Sequence, residues 1–173
     1  DVYKRQGLEI ARITGDVNSE GSMQATIDVT SSGIPLQLGF VVVEDTQYIL
    51  DPLSRKWQSV ATAESPVGEL NLGQGVVGIL ERIMDATYSG RDDKQGVPCH
   101  HIAGRAAAED VNAIAGAVST PDDFPTDIWV GVEDGLVYQV DIAGAATPNE
   151  PADIRRSIIL SNLDQYVDIE APR

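Results

Sequence analysis

Apolar and polar positions alternate with a period of two along the first third of the chain. From Ser22 to Val29, the residues Met23, Ala25, Ile27 and Val29 alternate with Ser22, Gln24, Thr26 and Asp28. That spacing puts one set on a buried face and the other in water. Between Ile34 and Val43, the residues Ile34, Leu36, Leu38, Phe40 and Val42 again share a face, and Ser31-Ser32-Gly33 between the runs predicts an antiparallel hairpin. Leu8 to Val17 reads as a preceding strand closed by Asn18 to Gly21. Gln47 to Leu50 and Lys56 to Val60 continue the meander around Asp51-Pro52.

The period then lengthens. Val76, Ile79, Leu80, Ile83 and Thr87 recur at helical spacing, widened by Val77 and Met84, with Gly90 placed to end the helix. Glu64 to Gly75, rich in Gly and Pro, predicts a long approach loop. A second helix is expected from about Ala107 to Val118, carrying Val111, Ile114, Ala115 and Val118 on one face. Val97 to Gly104, between the helices, predicts a short strand. Asp127 to Val132 and Leu136 to Ile142 flank Glu133-Asp134-Gly135, a hairpin signal. Thr147 to Pro151 reads as a loop, Arg156 to Leu160 as the last clear strand, and Tyr166 to Ile169 as an extension. Strands, helix, strand, helix, strands predict an α+β fold: one antiparallel sheet with helices on one face.

Charge narrows the functional classes. The 173 residues carry 27 acidic and 12 basic side chains, a formal net charge of −15. Phosphate binding needs clustered Lys and Arg, so nucleic acid is excluded as a partner, and so is a polybasic membrane anchor. At 42% hydrophobic, the composition is that of a folded domain rather than an acidic disordered tail. No apolar run reaches the roughly 20 residues of a membrane-spanning helix. The first six residues, Asp1 to Gln6, match no periodic pattern and are left out of the fold argument, the expectation being a non-native remnant followed by a single domain over residues 7–173.

Reactive side chains are few. Cys99-His100-His101 is the one cluster of reactive types, but neighbours in a strand point to opposite faces, so ordinary strand residues are the better reading. Arg91-Asp92-Asp93-Lys94 lacks the ligand spacing of a calcium loop and reads as a solvated turn. Gly73-Gln74-Gly75 lacks the Lys-Ser/Thr of a phosphate loop. Trp57 and Trp129 read as packing residues. Neither a metal nor a cofactor is expected, nor is an enzymatic activity. With two Phe and two Trp the interior must be largely aliphatic, which suits either a plain core or the lining of an acyl-chain cavity.

Longer motifs carry a resemblance. Ile79-Leu80-Glu81-Arg82-Ile83-Met84-Asp85, Gly90-Arg91-Asp92 and Gly96-Val97-Pro98-Cys99-His100-His101-Ile102-Ala103-Gly104 occur in order. Ala107-Ala108-Glu109-Asp110-Val111, Phe124-Pro125-Thr126-Asp127-Ile128-Trp129-Val130 and Asp134-Gly135 follow them. With Tyr48 and Trp57 upstream and the closing run from Ile158 to Pro172, the order resembles that of the LppX/LprG family of mycobacterial-type cell-envelope lipoproteins. The resemblance spans nearly all of residues 8 to 173. It implies a fold like that of the LolA/LolB carriers, a curved antiparallel half-barrel with helices covering its concave face. It also implies non-enzymatic binding, transport or presentation of acylated lipids and glycolipids in a hydrophobic cavity between sheet and helices.

On that resemblance the wall of the cavity would be Ile27, Val29, Leu36, Leu38, Phe40, Val130 and Tyr138, and the roof Val76, Ile79, Leu80, Ile83, Val111 and Ile114. The expected partners are an acylated lipid or glycolipid and a membrane transporter, with the carrier acting as a monomer. The family's lipobox cysteine, first helix and first strand are not in the sequence, so the expectation is an N-terminally truncated form of an extracytoplasmic lipoprotein, membrane-anchored when full length. Two rivals stay open: a structural or adhesion module with a closed core and partner contacts at Trp57 or an edge strand, and a lipid hydrolase using His100 or His101 as base.

Overall fold

The computed structural model describes residues 8–44, 46–61, 64–65, 67–68, 70–115, 118–119 and 123–173. The elements run β1 (Leu8–Val17), β2 (Met23–Ser31), β3 (Ile34–Val43), β4 (Thr46–Leu50), β5 (Trp57–Val60), α1 (Leu72–Arg82), β6 (Met84–Lys94), β7 (Val97–Ala106), α2 (Ala108–Ala115), β8 (Phe124–Gly131), β9 (Val137–Ala143) and β10 (Arg155–Ile159). The fold class is α+β, with every strand pair antiparallel. Among the described residues ten strands form two five-stranded meanders, β1-β2-β3-β4-β5 and β10-β9-β8-β7-β6, where the pattern alone predicted one sheet. They fall in two compact units, the chain up to Gly73 with Tyr166–Arg173, and Gln74–Gln165.

In the first unit the two-residue loop Ser32-Gly33 has positive φ at both positions, 50° and 79°, matching the twist that a tight hairpin demands. Met23, Ala25, Ile27 and Val29 stand opposite Val42, Phe40, Leu38 and Leu36. All of these but Leu36 are buried in one apolar cluster, joined by Ile49, Val67 and Leu70. Asn18 Oδ1 accepts the amides of Glu20 and Ser22 at 3.1 and 2.9 Å and so shapes the β1–β2 turn. Asp51 does the same for Leu53 and Ser54 at 2.8 and 2.7 Å, closing the predicted Asp51-Pro52 turn. Tyr166 to Ile169 forms no strand.

The second unit departs from the periodic reading at both ends of its first helix. α1 starts at Leu72, inside the predicted loop, and Gly73 and Gly75 are helical. The reason is tertiary. A Cβ at Gly75 would lie 2.5 Å from Ile114 Cγ1, and one at Gly78 would lie 2.3 Å from Asp110 Oδ1. Glycines three apart therefore leave room for α2, which outweighs their poor helix propensity. The helix then stops at Arg82, whose guanidinium is paired with the buried Asp110 carboxylate.

Ile83 packs against Gly104 of β7, and the chain continues as the eleven-residue strand β6. Thr87, Gly90 and Arg91 to Lys94 thus belong to a strand, not to a helix end or a solvated turn. Gly90, with φ of 121°, sits at a bulge rather than a helix terminus. Gln95-Gly96, with φ of 54° and 81°, turns β6 into β7, which runs longer than predicted, to Ala106. α2 ends at Ala115, and Gly116 and Ala117 of the predicted helix lie outside the described residues. The Glu133-Asp134-Gly135 hairpin is formed as predicted. Asp134 Oδ1 accepts the Leu136 amide at 3.0 Å, and the Tyr138 hydroxyl donates to Asp134 Oδ2 at 2.7 Å.

Candidate functional site

Two sheet faces collect the side chains that matter. On β7 and β8 the cross-strand partners His101 and Trp129 share one face, with Asp127 two residues away. The His101 ring stacks on the Trp129 indole at 4.7 Å, with 7° between the planes. Lys94 Nζ lies 4.0 Å over the same indole, whose exposure is only 6%. His101 Nε2 is 2.8 Å from Asp127 Oδ1. Arg155 Nη1 reaches Asp127 at 3.7 Å and Asp141 at 3.5 Å. Lys94 also holds the Asp92 carboxyl below its usual range by a hydrogen bond, helped by the Asp93 amide. This strip is charged and internally paired, so it fixes its own side chains and leaves no indole face open as a ligand platform.

The Cys99-His100-His101 run separates as its spacing requires. Cys99 is fully buried, its thiol pushed up by burial, and its Sγ donates to Val97 O at 3.3 Å. His101 is committed to Asp127 and Trp129, whereas His100 meets the Tyr88 ring edge-on at 5.7 Å. The three side chains thus occupy separate environments. Among the described residues no group of three or more His, Cys, Asp or Glu could hold a metal ion. Trp57 packs over Gly39 and Leu50 on the outer side of the first sheet, since a Cβ at Gly39 would lie 3.1 Å from its ring.

The residues assigned to a cavity from sequence lie in both units. In the first, Ile27, Val29, Leu38 and Phe40 are buried in the apolar cluster, and Leu36, on the same strand face, is 39% exposed. In the second, Val76, Ile79, Val111 and Ile114 are buried, Ile83 is half-buried against Gly104, and Leu80 is 38% exposed. Val130 and Tyr138 are half-buried beside a bulge in the β8–β9 pairing. A hollow of about 210 Å³ lies at the β4–β5 edge, lined by Thr46, Ser59, Val60 and Ala61, and includes none of these positions. Periodicity did not single out Gln47, a 4% exposed amide on the apolar side of β4, because one polar residue in a short strand looks like ordinary alternation.

These features define an α+β antiparallel-sheet protein with aliphatic faces and a self-paired polar strip. The chain belongs to the LppX_LprAFG lipoprotein family, whose sequence profile matches residues 3–169. It is 25% identical to the lipoarabinomannan carrier protein LprG of Mycolicibacterium smegmatis over 176 residues, 98% of this chain and 72% of that protein. It is 29% identical to lipoprotein LprA of Mycobacterium tuberculosis over 91 residues, 51% of this chain and 37% of that one. Two crystal structures share the fold. LprF from Mycobacterium bovis has a TM-score of 0.64 at 20% identity, covering 95% of this chain and 82% of its own. Lipoprotein LppX of Mycobacterium tuberculosis has a TM-score of 0.55 at 16% identity, covering 98% and 92%.

Proposed function

We propose that this protein is a non-enzymatic carrier that binds acylated lipids or glycolipids through its aliphatic faces and moves or presents them in the cell envelope. The observation that carries the reading is family membership over residues 3–169, reinforced by a relative, LprG, named as a lipoarabinomannan carrier. The residues offered for acyl contact are Ile27, Val29, Leu36, Leu38 and Phe40 in the first unit. In the second they are Val76, Ile79, Leu80, Ile83, Val111 and Ile114, with Val130 and Tyr138.

The physics needs no hydrogen-bond code. Each buried methylene contributes about 0.8 kcal/mol, so ten approach ~8 kcal/mol before ordering costs. Selectivity then rests on the length and width of the apolar face. The acidic surface, at −15, suits a carrier that must leave an anionic membrane. An N-terminal lipid anchor, an extracytoplasmic location, a membrane transporter as partner and action as a monomer belong to the same proposal.

Native mass spectrometry after detergent-free purification tests it. A carrier shows co-purified lipid mass, and Leu38→Trp removes that mass while the folded near-ultraviolet spectrum persists. In a closed core the same overpacking lowers stability by roughly 1–3 kcal/mol and there is no lipid to lose. Protein free of lipid, and still free after incubation with acylated glycolipid, would sink the carrier reading in favour of a structural envelope module.

A further inference from the structure

We propose that Arg91, His100 and Tyr88 form a phosphate-binding site at the rim of the apolar face of the second sheet. The phosphate is the head of an acylated phospholipid or a free ion. For the first source the inference rests on the carrier reading, and it names the head chemistry which that reading leaves open.

The three residues share one sheet face. Arg91 on β6 stands opposite His100 on β7, and Tyr88 stands opposite Ile102, two residues further along β7. Cross-strand partners on one face have their Cβ atoms about 5 Å apart, so the three side chains rise from neighbouring roots. His101 and its Trp129 stack point the other way, onto the self-paired strip.

The face changes character where these residues stand. Phe124, Thr126 and Ile128 along β8, with Val140 and Ile142 on β9, are buried. Val130, opposite His100, is half-buried, and on β6 both Tyr88 and Arg91 are exposed. An apolar strip that ends in a guanidinium, an imidazole and a phenol matches a molecule with an apolar tail and a charged head.

The polar atoms of the three are not spent elsewhere among the described residues. His100 Nδ1 is buried without a partner there, a desolvation cost that a phosphate oxygen removes by accepting a proton from it. Arg91 makes no ion pair among the described residues, although the chain carries 27 acidic side chains. Of the two carboxylates that follow it on β6, Asp92 is paired with Lys94 at 3.2 Å on the Trp129 face, and Asp93 forms no ion pair with Arg91. The Tyr88 ring meets the imidazole edge-on at 5.7 Å and is 62% exposed, so it has room to turn and bring its hydroxyl to the same ligand.

The donor count selects phosphate. The planar fork of Arg91 takes two oxygens at once, which would use up a carboxylate, whereas a tetrahedral phosphate keeps further oxygens for His100 and Tyr88. The net charge of −15 opposes a polyanion, which needs a field of cations, but not one phosphate held by one fork.

The experiment uses the chain's two histidines. Inorganic phosphate is titrated in at fixed pH and ionic strength while both imidazole rings are followed by NMR. Phosphate should shift the His100 ring well beyond that of His101, on the opposite face, and Arg91→Gln should abolish the difference. In parallel, native mass spectrometry scores an equimolar mixture of myristoyl lysophosphatidate and monomyristoylglycerol, which differ by the phosphate alone. The parent should favour the phosphate-bearing lipid at least about tenfold, and Arg91→Gln should bring the ratio near one. Equal binding of the two lipids overturns the lipid head as the source, and no selective shift at His100 overturns the free ion. Both results together overturn the site and leave the carrier reading standing, and a lipid preference that survives Arg91→Gln overturns the site as well. Neither lipid bound overturns the carrier reading, whatever the phosphate titration shows. His100→Phe, which keeps a ring edge against Tyr88, repeats the lipid measurement should Arg91→Gln not fold.

Discussion

Gly78 shows how one missing methyl group organises a helix pair. A Cβ there would stand 2.3 Å from Asp110 Oδ1 and 2.9 Å from Arg82 Nη2, within the ion pair that ties the last turn of α1 to the first turn of α2. Asp110 is buried, and burying a carboxylate is tolerable because Arg82 pairs with it. That hydrogen bond, with the attraction behind it, holds the Arg82 guanidinium above its usual pKa. Gly78→Ala improves intrinsic helix propensity yet should destabilise by roughly 1–3 kcal/mol, because the methyl must push the pair apart. Urea unfolding measures it; a variant as stable as the parent would mean that the helices do not approach as described. At this scale the sequence was legible wherever a side chain follows its strand's alternation, as at Ile27, Leu38 and Phe40. It was silent on why glycine stands at Gly75, which looks like a loop residue, and at Gly78, inside the predicted helix, until the opposing helix is in place.

Elements depend on their neighbours in the same way. Helical spacing continues formally from Ile83 to Thr87, yet the chain turns extended at Met84. Ile83 is already buttressed by Gly104, and β6 gains its ladder on β7 through the Gln95-Gly96 turn. A long edge strand is an aggregation hazard, and the irregularities between Met84 and Thr87 and between Tyr88 and Gly90 blunt it by twisting the edge away from new partners. Gly90→Ala tests the second of these. At φ of 121° an L-residue is strained although a Cβ meets nothing within 4 Å, so the cost should be about 1–3 kcal/mol of backbone strain with no packing change. Thermal unfolding with unaltered far-ultraviolet dichroism checks it, and loss of strand signal would show instead that the bulge is needed for the fold.

For the molecule as a whole, 27 carboxyl groups make pH the natural probe of stability. Glu150 is a half-buried carboxyl whose direction of shift has a structural cause. Burial opposes its ionisation, but bonds from Arg156 and the amides of Ala146 and Thr147 outweigh that and hold its carboxyl below the usual range. A carboxyl held low in the folded state stabilises above its unfolded pKa, near 4.5, and that contribution is lost as pH falls through the folded value. The parent should therefore lose stability on acidification below about pH 4.5, and Glu150→Gln should flatten that limb while starting from a lower plateau at neutral pH. Equal slopes for the two proteins in pH-dependent urea unfolding would remove Glu150 from the account.

By itself the sequence determined the α+β class, the β2–β3 and β8–β9 hairpins, the aliphatic strand faces and the family, because alternation, turn chemistry and motif order are properties of neighbours along a chain. Only the tertiary structure decided that the strands divide into two sheets, that β6 is not helix, and that Val67 and Leu70 cover one end of an apolar face whose other end is bare. Those outcomes depend on close approaches between residues far apart in sequence, such as Gly75 with Ile114 and Gln47 with Gly68, and no local period encodes them.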